Sequence, residues 1–136
     1  MTKEISVGVL GLGAMGVLHA GILNSVPGAR LACIVDRDKK LLKVAGKVTR
    51  SLNLYPSIEE MLSKETLDAV YVCTPTPSHY EAVKTLFSAN KDLALFVEKP
   101  LAMNFDQARE IARHSGARAK PVWQGQQERR SRPAGE

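Results

Sequence analysis

The feature that most constrains this chain is a glycine-rich turn, Gly-Leu-Gly-Ala-Met-Gly at residues 11–16, directly after the apolar run 5–10. Apolar residues at helical spacing follow it. Such a turn ends a strand and begins a helix whose first N–H groups have no intrahelical partner. Those N–H groups, with the positive end of the helix dipole, favour a phosphate. The segment therefore predicts a strand–turn–helix unit that binds phosphate through its backbone.

The three glycines and a later acidic residue together indicate that the bound phosphate belongs to a dinucleotide. Gly11 would permit the tight turn, Gly13 would let the backbone approach a pyrophosphate, and Gly16 would let the helix pack against the strand. Asp36 lies 20 positions after Gly16, directly after the second apolar run, residues 31–35. A carboxylate there accepts hydrogen bonds from the ribose hydroxyls of an adenosine. The pattern predicts a dinucleotide site.

Two adjacent residues bear on the choice of cofactor. Asp36 predicts NAD, because its charge would repel the 2′-phosphate of NADP. Arg37 leaves NADP open, since an arginine beside the acid can pair with that phosphate. The competing interpretation of Arg37 is a solvated side chain at the start of a helix.

The rest of the chain alternates strand and helix patterns, which is typical of a doubly wound parallel α/β sheet, the Rossmann type, with about six strands in a single domain. Predicted strands are 5–10, 31–35, 52–55, 68–73, 92–97 and 120–124; predicted helices are 14–25 and 38–47, with others beginning at 58, 79 and 105. Ser57, Ser78 and Asn104 are each followed three residues later by Glu or Gln, a capping pattern. Met15, Leu18 and Ile22 share one face of the first helix, and Phe105, Ala108 and Ile111 share one side of the last.

Length and composition describe an ordinary globular domain of 136 residues, 44% of them apolar and 24% charged. Residues 5–26 carry no Asp, Glu, Lys or Arg, so a membrane span or export signal is the competing interpretation. Five glycines, with His19 and Asn24, favour a buried parallel strand and its helix instead. We expect a cytoplasmic protein that does not bind a membrane.

The positive charge is concentrated near the end of the chain. Residues 1–108 hold 12 basic and 11 acidic side chains, whereas residues 109–136 hold 7 and 3. A basic stripe on the fold is therefore not expected, which argues against nucleic-acid binding. The alternative is that Arg129, Arg130 and Arg132 form an arm that contacts phosphates.

Cys33 and Cys73 are predicted on strands that flank the first strand. That separation, about 9–10 Å across two strand spacings, exceeds what a disulfide allows. We expect two free thiols, as in a reducing compartment, and no metal site.

Polar residues follow the fourth and fifth predicted strands, at the sheet edge where such folds bind ligands. Thr74 would face the cofactor, and His79 would lie beside it in the first turn of a helix or serve only in packing. Lys99 ends the fifth strand and precedes Pro100. An amine there could manage the hydroxyl proton and developing alkoxide when an alcohol loses a hydride. Lys99 is thus the candidate catalytic residue; a surface loop is the alternative.

These segments resemble the signatures of the Gfo/Idh/MocA oxidoreductases, which include glucose–fructose oxidoreductase and inositol dehydrogenases. The resemblance covers residues 4–129 and rests on the glycine motif at 11–16, Thr-Pro-x-x-x-His at 74–79 and Glu-Lys-Pro at 98–100. It implies a dehydrogenase with Lys99 as its catalytic lysine. The implied cofactor contacts are Gly11, Leu12, Gly13, Ala14, Met15, Asp36, Thr74, Pro75, His79 and Glu98.

Members of this family normally continue into a second domain that carries most substrate contacts and usually the oligomer interface. We expect residues 1–125 to form the dinucleotide-binding domain and residues 126–136 to form a basic irregular tail where that second domain would begin. The chain would then be the NAD(P)-binding half of an oxidoreductase that acts on a sugar- or polyol-type hydroxyl. We expect this half to be inactive by itself, and the sequence is compatible with an oligomer. The alternative is a non-catalytic dinucleotide-binding sensor or partner-binding module.

Overall fold

The predicted strands pair side by side in one parallel sheet of order β3-β2-β1-β4-β5-β6. The structure, a computed structural model, describes residues 3–89, 92–116 and 122–124. The strands are β1 Ile5–Leu10, β2 Ala29–Val35, β3 Asn53–Tyr55, β4 Ala69–Val72, β5 Ala94–Val97 and β6 Val122–Gln124. The helices are α1 Ala14–Leu23, α2 Lys39–Val48, α3 Ile58–Lys64, α4 His79–Ala89 and α5 Phe105–Gly116.

The central strand β1 pairs with both β2 and β4, so the direction in which the chain adds strands reverses at this point. Two separate hydrophobic clusters cover the sheet. On one face, Ala20 and Leu23 of α1 pack against Val7 and Val9. On the other, residues of α3, α4 and α5 pack on β1, β2, β4 and β5. The doubly wound parallel sheet predicted from the sequence is confirmed.

Two of the three predicted helix caps form as expected. The Glu60 N–H donates to Ser57 Oγ (3.2 Å), and the Gln107 N–H donates to Asn104 Oδ1 (2.9 Å). Ser78 instead lies in a short 3₁₀ turn, Thr76–Ser78, and its hydroxyl donates to Pro75 O (2.7 Å). The nearby prolines favour this tighter turn, because proline restricts both its own backbone and that of the preceding residue.

The uncharged stretch 5–26 forms β1 and α1, and the buried side of α1 consists of small residues with one leucine. Met15, Leu18 and Ile22 do share a face, but they are 41–51% exposed. The buried positions are Gly16, Ala20 and Leu23. Because α1 is apolar on all sides, periodicity did not identify the packed face. None of the helices in the described ranges is long and apolar enough to cross a bilayer.

The apolar side predicted for α5 is only partly correct. Ile111 is 2% exposed, but Phe105 at the first turn is 71% exposed. The Arg109 guanidinium lies 4.7 Å from the centroid of the Phe105 ring, in a cation–π arrangement. The helix begins beyond the edge of the core, so its first apolar residue is left at the surface.

The contact that fixes α1 on the sheet is a backbone approach at two glycines. A Cβ on Gly16 would lie 1.8 Å from Gly11 O. Gly11 has a φ of +99°, and a Cβ there would lie 2.7 Å from Cys73 O. Side chains at either position would push the helix, the turn and the end of β4 apart.

Gly16→Ala is expected to lower the free energy of unfolding by about 1–3 kcal/mol, the usual cost of overpacking, because the contact is with backbone. Gly21→Ala is the matched control on the same helix, since a Cβ at Gly21 meets nothing within 4 Å. It should stabilise the domain by about 0.5–1 kcal/mol through helix propensity. Urea unfolding of both variants measures the difference; equal effects would contradict the packing described here.

Candidate functional site

The carboxyl ends of β1, β2, β4 and β5 surround a cleft of about 1110 Å³. Every sequence-predicted site residue except Leu12 lines it. These are Gly11, Gly13, Ala14, Met15, Asp36, Arg37, Thr74, Pro75, His79, Glu98 and Lys99. Parallel strands bring their carboxyl ends to one edge, so residues far apart in sequence meet there. The cleft lies where the strand order reverses, the usual ligand position in such sheets.

The wall formed by the glycine turn is open toward the cleft. Gly13 is the N-cap of α1 and makes no side-chain cap. A Cβ at Gly13 would meet no atom within 4 Å. The first intrahelical hydrogen bond runs from the Val17 N–H to Gly13 O (3.0 Å), so the N–H groups of the first turn have no helical acceptor. This surface offers N–H donors and space to an anion.

Asp36 holds the glycine turn as well as facing the cleft. Its Oδ2 accepts the Leu12 N–H at 2.8 Å, and its Oδ1 accepts the Asp38 N–H at 2.7 Å. Leu12 therefore contributes a backbone group that orients the acid. A carboxylate has about four acceptor positions, so two remain for hydroxyl groups in the cleft. Arg37, the next residue, is exposed.

Thr74 carries a buried side-chain oxygen that has no hydrogen-bond partner in the described part of the chain. Its Oγ1 is the one such side-chain atom among the residues described. A buried hydroxyl without a partner is costly, and Thr74 lines the cleft. The arrangement suits a ligand with a polar group at this position.

His79 is 1% exposed, and both ring nitrogens face backbone carbonyl oxygens. Nδ1 lies 2.9 Å from Pro100 O, and Nε2 lies 2.6 Å from Thr74 O; the tautomer decides which nitrogen donates. The ring thus links the loops that follow β4 and β5. Because its polar atoms are engaged with the protein, a polar contact between His79 and a cofactor stays a prediction.

Glu98 and Lys99 follow β5, and the Lys99–Pro100 peptide bond is cis. Lys99 is exposed, lines the cleft and pairs with no carboxylate in the described part of the chain. Its amine is therefore available to a ligand. Glu98 is engaged instead, because its Oε2 lies 3.0 Å from His19 Nε2.

His19 contacts the cleft residue Glu98, and sequence reasoning missed this contact. His19 lies on α1, one turn after Gly16, and is the first ionisable side chain after Glu4. That single polar ring on an apolar helix was the available signal. Only the fold shows its partner, since 79 positions separate His19 from Glu98.

Both cysteines are free, as expected, and both are buried. Burial raises the pKa of Cys73 to about 12, with a smaller contribution from the negative charge of Glu98. Burial also raises the pKa of Cys33 to about 12. Possible ligand atoms of His19, Cys73 and Glu98 lie within 4.8 Å of one another. A metal bound by these three residues would need the Cys73 thiolate, and burial disfavours that thiolate. The expectation that the chain has no metal site stays a prediction.

The family model for the Gfo/Idh/MocA oxidoreductases, described as an oxidoreductase family with an NAD-binding Rossmann fold, matches residues 5–126. The chain belongs to the Gfo/Idh/MocA oxidoreductase family. The predicted resemblance is confirmed, and with it the NAD-binding class of the domain.

Two inositol dehydrogenases are similar to this chain over most of its length. A scyllo-inositol 2-dehydrogenase (NAD(+)) of Bacillus subtilis is 34% identical over 113 residues, which are 80% of this chain and 32% of that protein. An inositol 2-dehydrogenase of Rubrobacter xylanophilus is 33% identical over 112 residues, 81% of this chain and 31% of that protein. The chain spans about a third of the length of these relatives.

A solved structure gives the same result for the fold. GenD2 from gentamicin A biosynthesis, in complex with NAD, superposes with a TM-score of 0.82 at 28% identity. The match covers 92% of this chain and 35% of GenD2.

The residues present fit the dinucleotide that the Gfo/Idh/MocA family binds. The open side of Gly13 would receive the pyrophosphate on the N–H groups of α1. The remaining acceptor positions of Asp36 suit ribose hydroxyls. Thr74, which lines the same cleft, carries a buried hydroxyl oxygen that has no partner among the described residues. These three features occur along one continuous cleft.

The raised thiol pKa values predict slow labelling of the native protein. At pH 8, moving a thiol pKa from 9.0 to about 12 lowers the thiolate fraction about a thousandfold. The rate with an aromatic disulfide reagent should then rise about tenfold per pH unit between about pH 8 and 11. Urea-unfolded chain is the control and should label rapidly at both cysteines. Fast native labelling at pH 8 would contradict the burial described.

Proposed function

We propose that this chain is the NAD-binding half of an oxidoreductase that transfers hydride between a nicotinamide and a sugar- or polyol-type hydroxyl. The observation that carries the proposal is the open N-terminus of α1 at Gly13, beside Asp36 and in the same cleft as Lys99. The substrate class is supported by the similarity to inositol dehydrogenases. In this proposal residues 1–125 form the cofactor domain.

Lys99 is the proposed catalytic residue. NAD, when bound, supplies a hydride acceptor. A substrate hydroxyl must then lose its proton as the carbon is oxidised, and Lys99 Nζ at the cleft is the group proposed to hold that proton and stabilise the alkoxide. Asp36 would orient the adenosine ribose, and Thr74, Pro75 and Glu98 would line the nicotinamide end. Substrate contacts would come from a second domain, such as one formed by the two thirds of the relatives' sequences that this chain does not match.

Asp36 makes NAD the proposed cofactor, and Arg37 keeps NADP as the alternative. Fluorescence titration of the chain with NADH and NADPH separates these cases, because the carboxylate would repel a 2′-phosphate. Absence of a response to either nucleotide at millimolar concentration would contradict the proposal.

Gly13→Asp tests the phosphate site without disturbing the fold. Aspartate is a favourable N-cap, so the free energy of unfolding should change by less than about 1 kcal/mol. Its carboxylate would occupy the N–H groups and repel the pyrophosphate, weakening NADH binding at least about tenfold. Gly21→Asp, at the other end of α1, adds the same charge and should leave the NADH dissociation constant within about twofold. Equal binding by both variants would exclude this anion site.

Lys99→Met tests the proton role in a chimera of residues 1–124 with the rest of the Bacillus subtilis scyllo-inositol 2-dehydrogenase. Turnover of scyllo-inositol should fall at least about a hundredfold, the usual contribution of general acid–base catalysis. NADH affinity should stay within about twofold, since a side chain that acts on the hydroxyl proton contributes little to cofactor binding.

Lys47→Met, on the exposed side of α2, is the matched control and should leave turnover unchanged. Retained turnover in the Lys99 variant would remove this lysine from its role. NADH binding without turnover in the unmodified chimera would favour the alternative, a non-catalytic dinucleotide-binding module.

A further inference from the structure

The segment 98–100 is held from both faces of the sheet by histidines. His19 comes from α1, on the face where Val7 and Val9 pack. His79 comes from α4, on the opposite face. His19 Nε2 lies 3.0 Å from Glu98 Oε2, and His79 Nδ1 lies 2.9 Å from Pro100 O. Lys99 lies between the two residues that are held.

Aromatic packing fixes the position of the His19 ring. Its centroid lies 5.3 Å from that of Tyr71 and 5.2 Å from that of Phe96. Tyr71 and Phe96 are register partners on β4 and β5, and their rings stack at 4.7 Å. Ring pairs at these separations are attractive beyond the area that they bury. The imidazole therefore has a defined place on the sheet, and its Nε2 points at one carboxylate oxygen.

Glu98 needs this partner because it is largely removed from water. The side chains of His19 and Glu98 are 17% and 13% exposed. A buried carboxylate that loses its donor either keeps an unsatisfied charge or turns toward water. The second response would move the backbone that carries Lys99, since Glu98 and Lys99 are adjacent. The Glu98 N–H is bonded to Val72 O (2.9 Å), so the chain is fixed up to Glu98 and the displacement would fall on Lys99, the residue that follows.

We infer that His19 is a positioning residue for the proposed NAD site: its Nε2–H donates to Glu98 and holds the Glu98–Lys99 segment at the nicotinamide end of the cleft. The inference rests on the proposed function for the identity of the ligand. The hydrogen bond and the aromatic packing of His19 are separable, because the donor is one ring atom and the packing uses the whole ring.

Two substitutions separate these contributions. His19→Phe keeps a ring against Tyr71 and Phe96 but removes the donor. His19→Gln keeps an amide donor of similar reach but removes the ring. Loss of a hydrogen bond to a charged group predicts that His19→Phe weakens NADH binding about fivefold or more. His19→Gln should bind NADH within about twofold of the unmodified chain, although it unfolds at lower urea concentration.

A purely structural role for His19 predicts the opposite order, with NADH affinity following stability. Amide resonances of Glu98 and Lys99 in ¹⁵N-labelled chain give a readout that needs no nucleotide. They should shift in His19→Phe and stay near their original positions in His19→Gln. Resonances unchanged in His19→Phe would overturn the inference, as would equal NADH affinities of His19→Phe and the unmodified chain.

A Glu98→Met variant, which keeps the side-chain length but removes the acceptor oxygens, tests the pathway through the carboxylate. If His19 acts through Glu98, the double variant His19→Phe/Glu98→Met should bind NADH no more than about twofold worse than Glu98→Met alone. Additive losses would overturn the inference. An unmodified chain that binds no NADH would refute the proposed function, and the two resonance shifts alone would then decide whether His19 positions the segment.

Discussion

The structure depends on the close approach of α1 to the turn that follows β1. Gly16 has no Cβ to collide with Gly11 O, and Gly11 has none to collide with Cys73 O. This double approach brings three things together: the end of β1, the start of α1 and the end of β4. The cleft exists because those three backbone segments meet, and the positive end of α1 faces into it.

The same approach determines what can act at the other end of the cleft. With α1 held this close to the sheet, His19 one turn later packs against both Tyr71 and Phe96 and contacts Glu98. The helix thus contributes twice, with backbone N–H groups at its N-terminus and with a side-chain donor further along. Both contributions would be lost if a larger residue at position 16 lifted the helix from the turn.

Much of the fold and part of the site could be predicted from local patterns. Strand runs, the glycine motif and the acid after β2 have fixed spacings, so they predicted the doubly wound sheet and the residues around the cleft. Helix faces and partners were harder. The packed side of α1, the exposed Phe105 and the different bond at Ser78 depend on which surfaces meet, and an apolar helix gives no periodic signal for that.

The sequence by itself determined the parallel α/β sheet, the family and the group of residues at the strand ends, because these follow from short-range spacing and strand direction. Only the tertiary structure decided what those residues touch. It buried His79 between two carbonyl oxygens and joined His19 to Glu98 across 79 positions. It also left Thr74 Oγ1 without a partner among the described residues. Such contacts arise when two faces of a sheet are covered by helices from distant segments, which no local pattern encodes.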